Sequence, residues 1–211
     1  MGMIADFWFD PSCPYSWLTS RWLLEVAKVR PVEIRWHVMS LSVLNEGRDD
    51  DPENDPEGYL WVPARIAATV GHRFGHEALG RFYTELWRGR GDERNEQGGE
   101  TEQDWLGDFR RALSAAGLPA DLAESGLTEA GDDLVRASHA EGISLLGDHI
   151  GTPICAVTGA AEERIVFFGP VISQLPTGEQ AGRLWDGTLL VAGTPHFHEL
   201  KGHAHEEPRL P

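Results

Sequence analysis

The first 38 residues constrain the fold most, because their hydrophobic period alone sets out a buried strand, a helix and a second strand. Met3 to Phe9 is apolar apart from Asp6, as expected of a strand covered on both faces. Asp10-Pro11-Ser12 ends it. From Cys13 the period becomes helical, with Leu18, Trp22, Val26 and Val29 on one face and Arg21, Glu25 and Lys28 on another. Pro14 suits the first turn, where a missing N–H costs nothing. Pro31 stops the helix, and Val32, Ile34, Trp36 and Val38 then alternate with Glu33, Arg35 and His37, the two-residue period of a strand. A parallel pairing of these two strands requires a right-handed crossover.

After Asn45 the pattern changes. Asp49 to Gly58 reads as an acidic loop, and from Val62 to about Leu146 nearly every signal is helical. Leu79, Phe82, Tyr83 and Leu86 are spaced i, i+3, i+4, i+7, Thr101 and Asp104 make a capping box, and Gly89 to Gly99 is a polar break. Strands return at Thr152 to Val157 and Arg164 to Phe168, with a turn-rich segment between them that predicts a hairpin. Thr177 and Gln180 form a capping box for a last helix carrying Ala181, Leu184, Trp185 and Thr188 on one stripe; beyond Gly193 the chain is polar and is expected to fray. This order predicts an α/β protein, a thioredoxin-like fold with a helical domain inserted after the first β-α-β unit. Its parts are residues 1–45 and 146–195 as the thioredoxin-like domain, 46–145 as the inserted helical domain, and 196–211 as a polar, histidine-containing tail.

Charge narrows the partners. Eighteen Lys and Arg face 34 Asp and Glu, a net charge of −16, and no basic cluster offsets it, which excludes nucleic acid and an anionic membrane surface as partners. No apolar run approaches the ~20 residues of a membrane span, and the opening residues read as a strand and not as a secretory signal, so the expected location is the cytoplasm. Two cysteines, Cys13 and Cys155, are too few for a disulfide scaffold. Trp8, Trp17, Trp22 and Trp36 crowd the start of the chain, where a flat aromatic ligand could find stacking partners.

Chemistry concentrates at Cys13. In Asp10-Pro11-Ser12-Cys13-Pro14-Tyr15-Ser16-Trp17 the thiol stands where a strand passes into a helix. Unpaired N–H groups at a helix start favour an anion, so a lowered thiol pKa, within ~3.5–7.5, is expected. A two-cysteine motif would carry its second thiol three positions on, where this chain has Ser16. A serine can hydrogen-bond to the sulfur but cannot resolve a mixed disulfide, so the resolving thiol must come from outside. Cys155, two residues past Pro153 on a strand, reads as an inert core thiol; as a resolving partner it would need a Cα separation from Cys13 below ~7 Å.

Cys13-Pro14-Tyr15-Ser16 and the Gly151-Thr152-Pro153 that leads into a strand resemble the DsbA-like thiol oxidoreductases of the thioredoxin superfamily. The segments Ala5 to Pro11, Trp17 to Val29, His37 to Leu41, Leu44 to Arg48, Phe168 to Val171 and Leu184 to Gly187 are similar to the mycothiol-dependent nitroreductase group. That resemblance implies Cys13 as nucleophile, Ser16 beside it, and Pro153 as a cis-proline whose preceding Thr152 lies against the sulfur. It further implies a thiol- and substrate-binding surface of Pro14, Tyr15, Trp17, Asn45, Thr152 and Gly169, with Tyr15 lining the entrance. The co-substrate would be mycothiol or another low-molecular-weight thiol, with no metal, and the second substrate a disulfide or an electrophile, including nitroaromatic or quinone-like acceptors. A homodimer through the helical block is left open.

Ser16 departs from the two-cysteine pattern of the wider family. It makes Cys13 to Leu18 similar to the Ser-Pro-Tyr-Ser-Trp-Leu start of kappa-class glutathione transferases and chromene-carboxylate isomerases, with Cys for the first Ser. Those relatives anchor glutathione with a Ser-Asp or similar pair where this chain has Gly169-Pro170-Val171, which disfavours glutathione. Three readings therefore stand: a monothiol oxidoreductase, a kappa-like transferase or isomerase in which Cys13 only positions a cofactor thiol, and a binding protein without turnover. His196, His198, His203 and His205 form two His-x-His pairs without the Cys or carboxylate spacing that completes a metal site, and His72 and His76 lack the Glu of a zinc-protease helix.

Overall fold

The apolar run at the start of the chain forms strand β1 (Met3–Phe9), with Ala5, Phe7, Trp8 and Phe9 fully buried. Helix α1 (Pro14–Val29) follows, with Cys13 as its N-cap and Pro14 at its first position, and Leu18, Trp22 and Val26 of the apolar stripe are fully buried. The backbone turns extended at Arg30 and enters β2 (Val32–Val38). Late in the chain come β3 (Ile154–Thr158) and β4 (Arg164–Phe168), and the four strands form one sheet in the order β2-β1-β3-β4. β1 pairs antiparallel with β3, Phe7 opposite Cys155, and β3 pairs antiparallel with β4, Cys155 opposite Phe167. The predicted hairpin is therefore present.

The last helix, α7 (Gly178–Ala192), packs on α1. The contact is aromatic: the Trp22 and Trp185 rings lie 5.8 Å apart, and the Trp22 indole N–H donates to the Ala181 carbonyl at 3.1 Å. Large rings of this kind each remove on the order of 150–250 Å² from water. Arg30 completes the contact, reaching Glu179 at 2.7 Å and Asp186 at 2.7 Å. The predicted capping box at Thr177 is not formed. Thr177 is the N-cap but its side chain makes no cap bond, and the orphan N–H of Gly178 is taken by the Glu25 carboxylate of α1 at 3.2 Å. A tertiary acceptor has replaced the local one.

The computed structural model describes residues 2–48, 52–88, 105–159 and 162–211. They fall into two compact units, the first of Met1–Arg35 and Glu141–Pro211, the second of Trp36–Ala140. The second contains α2 (Leu41–Leu44), α3 (Trp61–Phe74), α4 (His76–Arg88), α5 (Trp105–Ala115), 3-10 segments at Ala120–Leu127 and Glu129–Gly131, and α6 (Asp132–Ile143), which runs across its boundary. Gly75, at φ +83°, separates α3 from α4. The stripe Leu79, Phe82, Tyr83 and Leu86 is buried as its spacing requires. The capping box at Thr101 and Asp104 and the break at Gly89 to Gly99 lie outside the described residues.

The division falls at Arg35/Trp36 and Ala140/Glu141, earlier than the expected 45/46 and 145/146. Packing within the second unit gives the reason. The Trp36 ring lies edge-on to Tyr83 at 6.3 Å and against Gly80, where a Cβ would come within 2.4 Å of its indole nitrogen. Ser138 donates to the Val38 carbonyl at 2.6 Å, and the Ser40 N–H donates to His139 Nδ1 at 3.3 Å. Residues 36–40 thus pack with α4 and α6, although local period reads them as the end of a strand and the loop after it.

Candidate active site

Cys13 stands at the junction of β1 and α1, and as N-cap its sulfur takes the place an oxygen has in ordinary caps. Sγ accepts the Ser16 backbone N–H at 3.4 Å. Asp10 shapes the approach to it. Its carboxylate accepts the Ser12 N–H at 2.7 Å, an Asx turn, and its carbonyl accepts the Cys13 N–H at 3.2 Å.

The facing segment is Gly151-Thr152-Pro153. The Thr152–Pro153 peptide is cis, as is Gly169–Pro170. Thr152 Oγ1 accepts the Asp10 N–H at 3.1 Å and lies 2.9 Å from Ser16 Oγ, so one hydroxyl joins the end of β1, the start of α1 and the entry to β3. Gly169 supports Pro153 from behind, its N–H donating to the Pro153 carbonyl at 2.9 Å. At φ +86°, with a Cβ position only 2.7 Å from the Val171 nitrogen, this residue has to be glycine.

The thiol's ionisation differs from the expectation. Cys13 is 8% exposed, and burial pushes its pKa above the ordinary thiol value. Hydrogen bonds from Ser16 pull it down, while the buried carboxylate of Asp10 pushes it further up. A helix start contributes about 0.3–1 kcal/mol to an exposed anion and up to ~2 kcal/mol when partly buried. Desolvating a charge costs several kcal/mol, so burial wins. The expected lowered pKa is thereby corrected, and the resting group is the protonated thiol. Cys155 fits the inert reading: it is fully buried in β3, its thiol donates to the Gly169 carbonyl at 3.5 Å, and burial alone drives its pKa far upward.

Pro14 and Tyr15 are half-buried on the first turn of α1. Tyr15 is engaged. Its hydroxyl donates to the Glu206 carbonyl at 3.1 Å, and its ring lies 5.6 Å from that of His205. The same carbonyl accepts from Ser173 Oγ at 2.8 Å, and the Arg209 N–H donates to the Ser173 carbonyl at 2.8 Å. The segment expected to fray is therefore fastened. Trp17 is 5% exposed with the Arg21 guanidinium 3.9 Å from its ring centre, and Trp8 and Trp22 are fully buried, so none of the three offers an open face for stacking. Asn45 belongs to the second unit, where it caps the end of α2 at 7% exposure and lines a cleft of about 220 Å³ with Ser42, Glu46, Arg48, Asp55 and Trp61. Its Nδ2 has no hydrogen-bond partner among the described residues.

Three residues of the site were not singled out from sequence. The Asx-turn signal of Asp-Pro-Ser could have found Asp10. Thr19, whose hydroxyl lies 2.9 Å from the Tyr15 carbonyl one turn back and 2.8 Å from the Pro170 carbonyl, and Ser173 carry no local signal of this role, because Pro170 and Glu206 are remote from them in the chain. Among the described residues no three His, Cys, Asp or Glu side chains cluster so as to hold a metal ion, and no helix is long and apolar enough to cross a membrane.

Comparison with known proteins places these observations in a family. The model of the Rv2466c-like family, described as mycothiol-dependent nitroreductase Rv2466c, matches residues 12–202. The chain is 31% identical over 200 residues to an uncharacterized protein of Mycobacterium tuberculosis, Rv2286c, covering 93% of this chain and 80% of that protein. Among solved structures it is similar to a putative protein disulfide isomerase from Nitrosomonas europaea, with a TM-score of 0.54, 12% identity, and coverage of 90% of this chain and 98% of the other. It is also similar to a probable DsbA oxidoreductase from Streptomyces coelicolor, with a TM-score of 0.49, 18% identity, and coverage of 95% and 94%.

Proposed function

We propose that this chain, which belongs to the Rv2466c-like, mycothiol-dependent nitroreductase family, is a DsbA-like thiol oxidoreductase that works through one thiol, Cys13, with a low-molecular-weight thiol, mycothiol, as its partner. The carrying observation is Ser16. It occupies the place of a second cysteine, its N–H is on the Cys13 sulfur, and its hydroxyl is on Thr152. Cys155, buried in the sheet and bonded to Gly169, does not take that place.

In the proposed cycle the Cys13 sulfur, after giving up its proton, attacks one sulfur of a disulfide. An S–S bond forms to Cys13, the old S–S bond breaks, and the displaced thiolate takes up a proton. The small thiol then attacks the mixed disulfide as its thiolate, and Cys13 leaves as thiolate. With a quinone-like acceptor, two thiols are oxidised to one disulfide for each quinone reduced to hydroquinone; a nitro group is reduced in the same two-electron steps. Thr152 Oγ1 already accepts the Asp10 N–H. When its own proton goes to Ser16, the Ser16 proton is left for the sulfur, where it stabilises the departing thiolate. Pro153 holds Thr152 at this position, Gly169 backs Pro153, Pro14 and Tyr15 form the rim, and Trp17 with Arg21 packs the turn behind them. Unpaired cysteines suit a reducing compartment, and the cytoplasm is proposed as the place of action.

Intact mass after incubation of the reduced protein with oxidised mycothiol tests this. The expected result is one adduct, lost in Cys13→Ser; no adduct, or an equal adduct in that variant, overturns it. The raised pKa of Cys13 favours one second reading, in which the partner thiol is the nucleophile and Cys13 positions it. Turnover that persists in Cys13→Ser would select that reading.

A further inference from the structure

Residues beyond Gly202 make four specific contacts with the surface around the Cys13 motif, and all join the first turn of α1 to the loop that follows Gly169-Pro170. One backbone carbonyl, that of Glu206, accepts both the Tyr15 hydroxyl at 3.1 Å and the Ser173 hydroxyl at 2.8 Å. The Arg209 N–H returns to the Ser173 carbonyl at 2.8 Å, and the His205 ring lies 5.6 Å from the Tyr15 ring, tilted by 50°. Pro208 and Leu210 are half-buried among otherwise exposed neighbours. These contacts lie beyond the family match, which ends at residue 202. Thr19 joins the same two walls from below, its hydroxyl spanning the Tyr15 and Pro170 carbonyls.

Position decides what such a segment does. Tyr15 is two residues from Cys13 on the first turn of α1, and the loop at 169–173 begins at the glycine that backs Pro153. Cys13 is 8% exposed, so a reagent has little room for choice in its approach. A chain laid from Tyr15, two residues from Cys13, to Ser173 borders the turn that carries the thiol. A small thiol or disulfide needs only a channel of its own width. A disulfide in a folded protein brings a broad surface with it and must displace the segment.

We propose that residues 203–210 are a strap that selects substrates by size, admitting low-molecular-weight thiols and disulfides to Cys13 and excluding disulfides carried by proteins. The selection rests on the thiol-exchange reading above. The strap is tested separately by labelling, which needs only a free thiol.

The experiment compares the whole chain with one ending at Gly202, using iodoacetamide as the small probe and a maleimide on a long polyethylene glycol chain as the bulky one. Each rate is taken relative to that of the same probe with a small free thiol, and the fully buried Cys155 serves as an internal blank. Truncation is expected to raise the bulky-to-small ratio by about tenfold or more. Ser173→Ala in the whole chain, which removes one of the carbonyl's two donors, is expected to raise it by a smaller factor, and this variant serves if the truncated chain does not fold. An unchanged ratio in both overturns the strap, as does an equal acceleration of both probes, which would mean a change in thiol ionisation. A raised ratio in a protein that forms no mixed disulfide with oxidised mycothiol leaves the strap standing as a steric cover and removes the exchange reading.

Discussion

Ser16 Oγ and Thr152 Oγ1 stand 2.9 Å apart although the residues are 136 positions apart in the chain, and through them the helix that carries Cys13 is tied to the segment that carries Pro153. Thr152 also accepts the Asp10 N–H at 3.1 Å. Thr152→Val keeps the shape and removes both bonds, leaving a buried N–H and a buried hydroxyl without this partner. A loss of about 1–3 kcal/mol in a urea melt is expected. A melt within error of the parent would mean that water replaces the hydroxyl.

Ionisation of the two thiols is expected to lower stability at alkaline pH. Both have pKa values raised by burial, so between the unfolded and the folded value the native state holds the proton while the unfolded state has lost it. Unfolding free energy must then fall as pH rises. Stability is whole below the unfolded thiol value of about 8.5 and declines above it. Cys155→Ala should flatten that decline across an alkaline series of melts, whatever it does to stability at neutral pH. A slope equal to the parent's would assign the alkaline loss to other groups.

Asp10 acts on Cys13 as a buried like charge. Asp10→Asn removes it, and the amide oxygen can still accept the Ser12 N–H, so the turn survives. The midpoint of a pH series of Cys13 alkylation rates should move down. An upward or absent shift would show that the carboxylate matters only for the turn.

Gly80→Ala sets two effects of known size against each other. Alanine favours the middle of a helix by about 1 kcal/mol over glycine. Its Cβ would stand 2.4 Å from the Trp36 indole nitrogen, and Trp36 is buried, so overpacking of about 1–3 kcal/mol opposes it. The variant should be the less stable in denaturant; a stabilised variant would show that the Trp36 ring can move aside.

What the sequence made legible was periodic or punctuated. β1, α1, β2 and the hairpin came from alternation, i, i+3, i+4 spacing and prolines, and the Cys13 to Ser16 motif stood out because a strand must end before it. The contacts that were not legible are those in which distant segments compete with local signals. Glu25 displaced the Thr177 cap, residues 36–40 joined the helical unit, and Glu206 came back to Tyr15 across 191 positions. The thiol's ionisation is hidden for a similar reason: the helix start is visible in the sequence, but the depth at which the sulfur lies is not.

The first unit is made from two separated stretches of chain, and this has a consequence during synthesis. Cys13 leaves the ribosome roughly 140 residues before β3 and Thr152, and at about 5–20 residues per second the interval is on the order of 10–30 s. Throughout it the thiol lacks the sheet that buries it, and Ser16 lacks its Thr152 partner. The nascent protein is thus at its most oxidisable before it is an enzyme, and the small thiol proposed as its partner would serve first as its protector.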